Sequence, residues 1–154
     1  MDKRLRLRAE DQADLSVIAA CLQDALIPLS EMAYLAEEHR FLAAFTRFRR
    51  ECLADPTTCE GLTVCQAALR FDEVEAVKYR GLDPGLGGVK LELLTLMAET
   101  GPDDLTHVTL LFAGDAAIQL RVRRLAVRLE DFGEPRLAEV TPQHDLAPLG
   151  TGEP

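Results

Sequence analysis

Hydrophobic and polar positions alternate over much of this chain, and the places where the alternation changes phase mark out its elements. Arg4-Leu5-Arg6-Leu7-Arg8 alternates strictly and predicts a short strand with one buried face. Glu10-Asp11-Gln12-Ala13-Asp14 then places negative charge where the first turn of a helix favours it. Leu15, Ile18, Ala19, Leu22 and Leu26 follow at helical spacing. They predict a helix over residues 10–25 with one apolar face, ended by Pro28.

Short strands are expected over 26–29 and 32–36, and the polar turn Glu37-Glu38-His39-Arg40 leads into a strand over 41–48. There Phe41, Ala43, Phe45 and Arg47 alternate with Leu42, Ala44, Thr46 and Phe48, which suits burial on much of both faces. Turn residues fill 51–61. Residues 62–79 read as two strands, or one bent strand, with the bend at Asp72-Glu73, and 89–98 read as a further strand, although Leu91 to Met97 would also fit a helix. Between them, residues 81–88 hold four glycines and a proline and are expected to be a mobile connector. The clearest hairpin joins Val108, Leu110 and Phe112 to Ile118, Leu120 and Val122 around Gly114-Asp115. Leu125, Val127 and Leu129 resume the alternation one residue out of phase, so a bulge or break belongs near Arg123-Arg124. From about residue 134 the periodicity dissolves among prolines and glycines.

These elements predict an α+β domain over residues 4–133, with a flexible tail over 134–154. One N-terminal helix and seven to nine mostly antiparallel strands would curl into a small barrel or half-barrel, pleckstrin-homology-like in broad outline, with the helix over one opening.

Composition narrows the function classes. The 154 residues carry a net charge of -9, which disfavours general nucleic-acid binding. No apolar run is long enough for a membrane helix, and the first residues lack the apolar stretch of a signal peptide, so a cytoplasmic protein without membrane contact is expected. Trp is absent and aromatics total 5%, which argues against a stacking platform for bases.

Several landmarks stand together: Leu5-Arg6-Leu7-Arg8-Ala9-Glu10-Asp11, Asp24-Ala25, Met32-Ala33-Tyr34-Leu35, Arg47-Phe48-Arg49, Leu69-Arg70-Phe71-Asp72, Arg80-Gly81, Leu111-Phe112-Ala113-Gly114 and Arg128-Leu129-Glu130-Asp131-Phe132-Gly133. With this spacing the chain resembles, over residues 5–133, an alphaproteobacterial family called domain of unknown function 2948. The resemblance implies a bacterial cytosolic origin and carries no activity and no site.

Each candidate chemistry has a plain structural alternative. Cys52, Cys59 and Cys65 lack the two-to-four-residue spacing of a zinc knuckle, and neither metal nor cofactor is expected. Cys59 or Cys65 with His39, His107 or His144 would make a nucleophile and base, but four cysteines and three histidines offer such sets by chance. Asp72, Glu73 and Glu75, or Glu130 with Asp131, would pair as acid and base, yet 26 acidic residues make pairs inevitable. The glycines of 81–88 do not match a phosphate loop. The sharpest site is basic: Arg47 and Arg49 at one strand end and Arg121, Arg123 and Arg128 at another, which would form a patch for an anionic ligand or an acidic partner segment if the two ends meet. The alternative is arginine stems covering the outer face of a sheet. The expected function is a non-catalytic module that binds a protein, another or a second copy of itself, and the competing reading is an enzyme whose site is dispersed.

Overall fold

The structure is a computed structural model that describes residues 4–52 and 61–138. It contains one helix and ten strands among those residues, more strands than the seven to nine expected. The strands are β1 (Arg6–Ala9), β2 (Leu26–Pro28), β3 (Met32–Leu35), β4 (Arg40–Phe48), β5 (Thr63–Phe71), β6 (Val74–Arg80), β7 (Lys90–Thr100), β8 (Thr106–Phe112), β9 (Ala116–Val122) and β10 (Val127–Leu137); the helix is α1 (Gln12–Cys21).

The strands form one antiparallel sheet in the order β1-β10-β5-β4-β2-β7-β8-β9-β6, with β3 on β4 beside this path. The order ends at two free strands, β1 and β6, so the sheet does not close into a barrel. Its first half is built around β10, β5 and β4, and its second around β7, β8, β9 and β6. The short β2 joins them: Leu26 pairs with Thr46 on one side and with Glu92 on the other.

The chain also passes between the halves twice, side by side. Asp72 and Glu73 turn β5 into β6, and residues 123–126 lead from β9 to β10. The two crossings are stitched together, with the Asp72 amide donating to the Ala126 carbonyl at 2.9 Å and the Arg123 amide to Glu73 at 3.0 Å. The expected bend and phase break are therefore one structural feature.

The odd-numbered residues of β4 and β5 and those of β10 up to Asp131 share the inner face. In register there stand Val127, Phe71 and Phe41, then Leu129, Leu69 and Ala43. Leu15 and Ile18 of α1 join this core from one side, and Leu110, Ile118 and Leu120 from the second half of the sheet. Each such side chain contributes roughly 1.5–3 kcal/mol when fully buried.

α1 is shorter than its periodicity predicts. Asp11 caps it, accepting from the Asp14 amide at 2.8 Å, and the helix ends at Leu22 instead of reaching Pro28. Asp24, with φ 67°, turns the chain, and residues 24–25 are drawn onto β7 by Asp24 amide to Leu93 carbonyl (2.8 Å) and Leu93 amide to Ala25 carbonyl (2.9 Å). Strand pairing thus takes residues the helical pattern would have claimed.

The connector holds one short 3-10 turn at Pro84–Leu86, where the Asp83 side chain accepts from the Gly85 amide at 2.9 Å. β10 also runs past the point where alternation fades. After a register shift between Phe132 and Arg136 it pairs Arg136 and Leu137 with Val64 and Thr63. The expected tail beyond residue 138 and most of the expected 51–61 loop lie outside the described residues.

Candidate functional site

The five arginines of the expected patch do not come together as one group; only Arg123 and Arg128 share a cavity. Arg47 lies on the inner face of β4, two residues beyond Phe45, and is fully buried. Its guanidinium forks onto the Asp131 carboxylate of β10, with both contacts at 2.7 Å. A second carboxylate, Glu51, accepts from the same group at 2.7 and 3.2 Å and remains 42% exposed. Arg49 is buried too, donating to Thr63 Oγ1 at 3.2 Å. These two arginines are structural, and they correct the expectation of a surface patch at this strand end. The same alternation that buries Phe45 buries Arg47, and the one that buries Leu129 buries Asp131; that shared phase was the signal for the pair.

Burial alone would push the Asp131 carboxyl up, but the Arg47 hydrogen bonds and the Leu5 amide outweigh it and hold it below the usual carboxylate range. Burial pushes the neighbouring Cys65 thiol up to about 11, so it stays protonated at neutral pH. Cys21 is shifted the same way by its burial. Neither thiol suits nucleophilic catalysis; Cys59 lies outside the described residues.

The other arginines face outward. Arg121 is half-buried on β9. Arg123, just beyond it, is exposed and paired with Glu75. Arg128 opens β10 and is exposed. Its cross-strand partners give it meaning: Arg8 of β1 stands directly opposite it on one side, and Arg70 of β5 on the other. Directly opposed residues project from the same face, so three arginines form a row across β1, β10 and β5. Like charges so placed cost roughly 0.2–1 kcal/mol per pair. Arg70 is compensated by Asp72 at 3.1 Å. Among the described residues, Arg8 and Arg128 have no carboxylate partner.

Beside this row, at the double crossing, lies a cavity of about 420 Å³. Arg8, Ala9 and Glu10 form one wall, Glu38, His39 and Arg40 a second, Asp72, Glu73 and Glu75 a third, and the stretch from Arg123 to Arg128 the fourth. Most of its charges neutralise each other. Arg40 bonds Asp72 at 3.0 Å and Glu38 at 3.4 Å, Arg123 holds Glu75, and Arg124 stands 3.9 Å from Glu73. Among the described residues, the lining groups that remain without an ion pair are Arg8, Arg128 and Glu10. Two wall residues also hold left-handed backbone, His39 at φ 55° and Glu73 at φ 60°. His39 is fixed by the Val74 amide donating to its carbonyl at 2.9 Å, and its Nδ1 lies 3.3 Å from the Val74 carbonyl. A glutamate at positive φ is uncommon, and such backbone persists where surrounding contacts enforce it.

Among the described residues no helix is long and apolar enough to cross a membrane. No curated protein and no solved structure matches the chain. One family model does, over residues 5–144, and it is described as a protein of unknown function (DUF2948). With most of its length matched, the chain belongs to the DUF2948 family of proteins of unknown function.

Proposed function

We propose that the chain is a non-catalytic binding module of the bacterial cytosol that holds an anionic group, carboxylate or phosphate, on Arg8 and Arg128 at the mouth of the cavity. One observation carries this reading: two guanidinium groups in direct register, both exposed and both without a carboxylate among the described residues, on a protein whose net charge is -9. A fold selected for stability alone has many acids with which to neutralise such a pair. Guanidinium forks match the oxygen geometry of carboxylates and phosphates, and two adjacent forks suit a ligand group with several oxygens. The partner is an acidic segment of a protein, another or a second copy of this chain. The free thiols Cys21, Cys52 and Cys65 fit a reducing compartment. The reading includes a half-barrel of pleckstrin-homology-like outline, which is supported by α1 packing on both β1, at one end of the strand order, and β7 of the second half.

Calorimetric titration with inorganic phosphate at low salt tests the site on the wild type, Arg8→Ala and Arg128→Ala. Saturable binding is expected in the wild type and a loss of at least tenfold in each variant. Thermal unfolding of the same variants is the companion measurement: relief of the opposed charges should leave stability equal or higher, by roughly 0.2–1 kcal/mol. Undiminished phosphate binding in both variants, or a clear fall in their stability, would reject the reading.

A further inference from the structure

A second site lies on the outer face of the other half of the sheet, and it stands independently of the cavity reading. We infer that Arg121 forms, with Lys78 and Gln119, a notch that accepts a single carboxylate group. Three observations place it. First, the register sets Arg121 between Ala76 of β6 and His107 of β8, with Gln119 two residues along the same face and Lys78 opposite Gln119. Second, these five residues line a small depression of about 30 Å³, in which Ala76 contributes only a methyl group. Third, the Arg121 Nε is buried and has no hydrogen-bond acceptor among the described residues. A guanidinium with an unpaired buried donor is short of acceptors, so an acceptor brought to this group from the notch is favoured.

The size selects the ligand class. About 10–15 Å³ of such volume holds one water-sized atom, so this notch takes about two, as many as the oxygens of a carboxylate. The donors suit the choice: a guanidinium, an ammonium and an amide line the notch, and the nearby acids are engaged or set apart. Asp103 is bound to His107 Nε2 at 3.1 Å, and Glu99 stands opposite His107 on its far side from Arg121. The carboxylate comes either from a small organic acid or from an acidic side chain of a partner protein.

The test follows the side-chain Nε–H resonance of Arg121, assigned by its loss in Arg121→Lys, while acetate is added against sodium chloride at matched ionic strength. A saturable shift specific to acetate is expected. Ala76→Leu fills the notch from the exposed edge strand and should abolish the shift while leaving the fold and the Arg121 resonance in place. Arg128→Ala, which removes the cavity site, should leave it unchanged, so the two sites can fail separately. A glutamate-bearing peptide that binds at least tenfold more tightly than acetate identifies a protein partner as the source, and equal affinity identifies a small acid. Equal shifts in chloride and acetate, or an undiminished acetate shift in Ala76→Leu, would overturn the assignment.

Discussion

A buried arginine is among the most consequential single residues a sheet protein can carry, because its charge cannot be removed by deprotonation. Arg47 is tolerated because Asp131 meets it with two bonds of 2.7 Å and Glu51 completes the fork. Arg47→Met would leave Asp131 buried with only the Leu5 amide and the Cys65 thiol to bond it, and should cost about 3–5 kcal/mol in urea unfolding. Adding Asp131→Leu should recover most of that loss, because the pair as a whole is worth much less than either half alone. The same contact sets a pH dependence. The Asp131 carboxyl is depressed in the folded state, so its contribution is fully present above the unfolded carboxylate value near 3.9 and is lost as pH falls through the lower folded value. Acid titration of the wild type should therefore show a loss of stability below about pH 4 that the double variant lacks. Matching acid limbs in the two proteins would show that the pair does not govern the transition.

At the scale of elements, α1 shows how much of a local pattern survives tertiary competition. Its start was legible in Asp11 and the acids around it, and the structure puts the cap there. A ten-residue helix has little stability of its own, so the cap and the face on β7 must hold it. Asp11→Ala should cost about 0.5–2 kcal/mol, with Asp11→Asn nearly neutral; equal losses in both would mean that charge rather than the cap bond matters. The helix end was not legible, because the bonds that divert Asp24 and Ala25 come from Leu93, nearly seventy positions away. Strands with strict alternation, such as β8 and β9, were plain from the chain, and so was their turn at Gly114 and Asp115, both at positive φ. The last part of β10 was hidden by Gly133 and Pro135, which break alternation although the partner strand still supplies bonds. The candidate site was half legible. Arg128 was singled out, but its neighbour Arg8 looked like the outer face of an ordinary edge strand, and only the register of β1 on β10 reveals the row.

At the scale of the whole molecule, the question is whether the two halves of the sheet are one cooperative unit. The links between them are few in number: β2 with three residues, the double crossing, and α1 laid across both. Each nevertheless sends a side chain into the shared core, Ile27 from β2, Leu125 from the double crossing and Leu15 and Ile18 from α1, which argues for cooperativity. Ile27 is the test residue. It is fully buried at the centre of β2, between strands that belong to different halves. Ile27→Ala removes methyl groups from a site walled by both halves, and such truncations cost about 2–5 kcal/mol. In a cooperative molecule that cost is felt equally everywhere. Hydrogen exchange of the slowest amides in β5 and in β8 should accelerate by the same factor, and both should unfold at one urea midpoint. If instead the β8 amides lose protection while β5 keeps its own, the second half opens alone. The cavity lined by Arg8 and Arg128 would then be bordered by a hinge, since its third and fourth walls are the two crossings that join the halves.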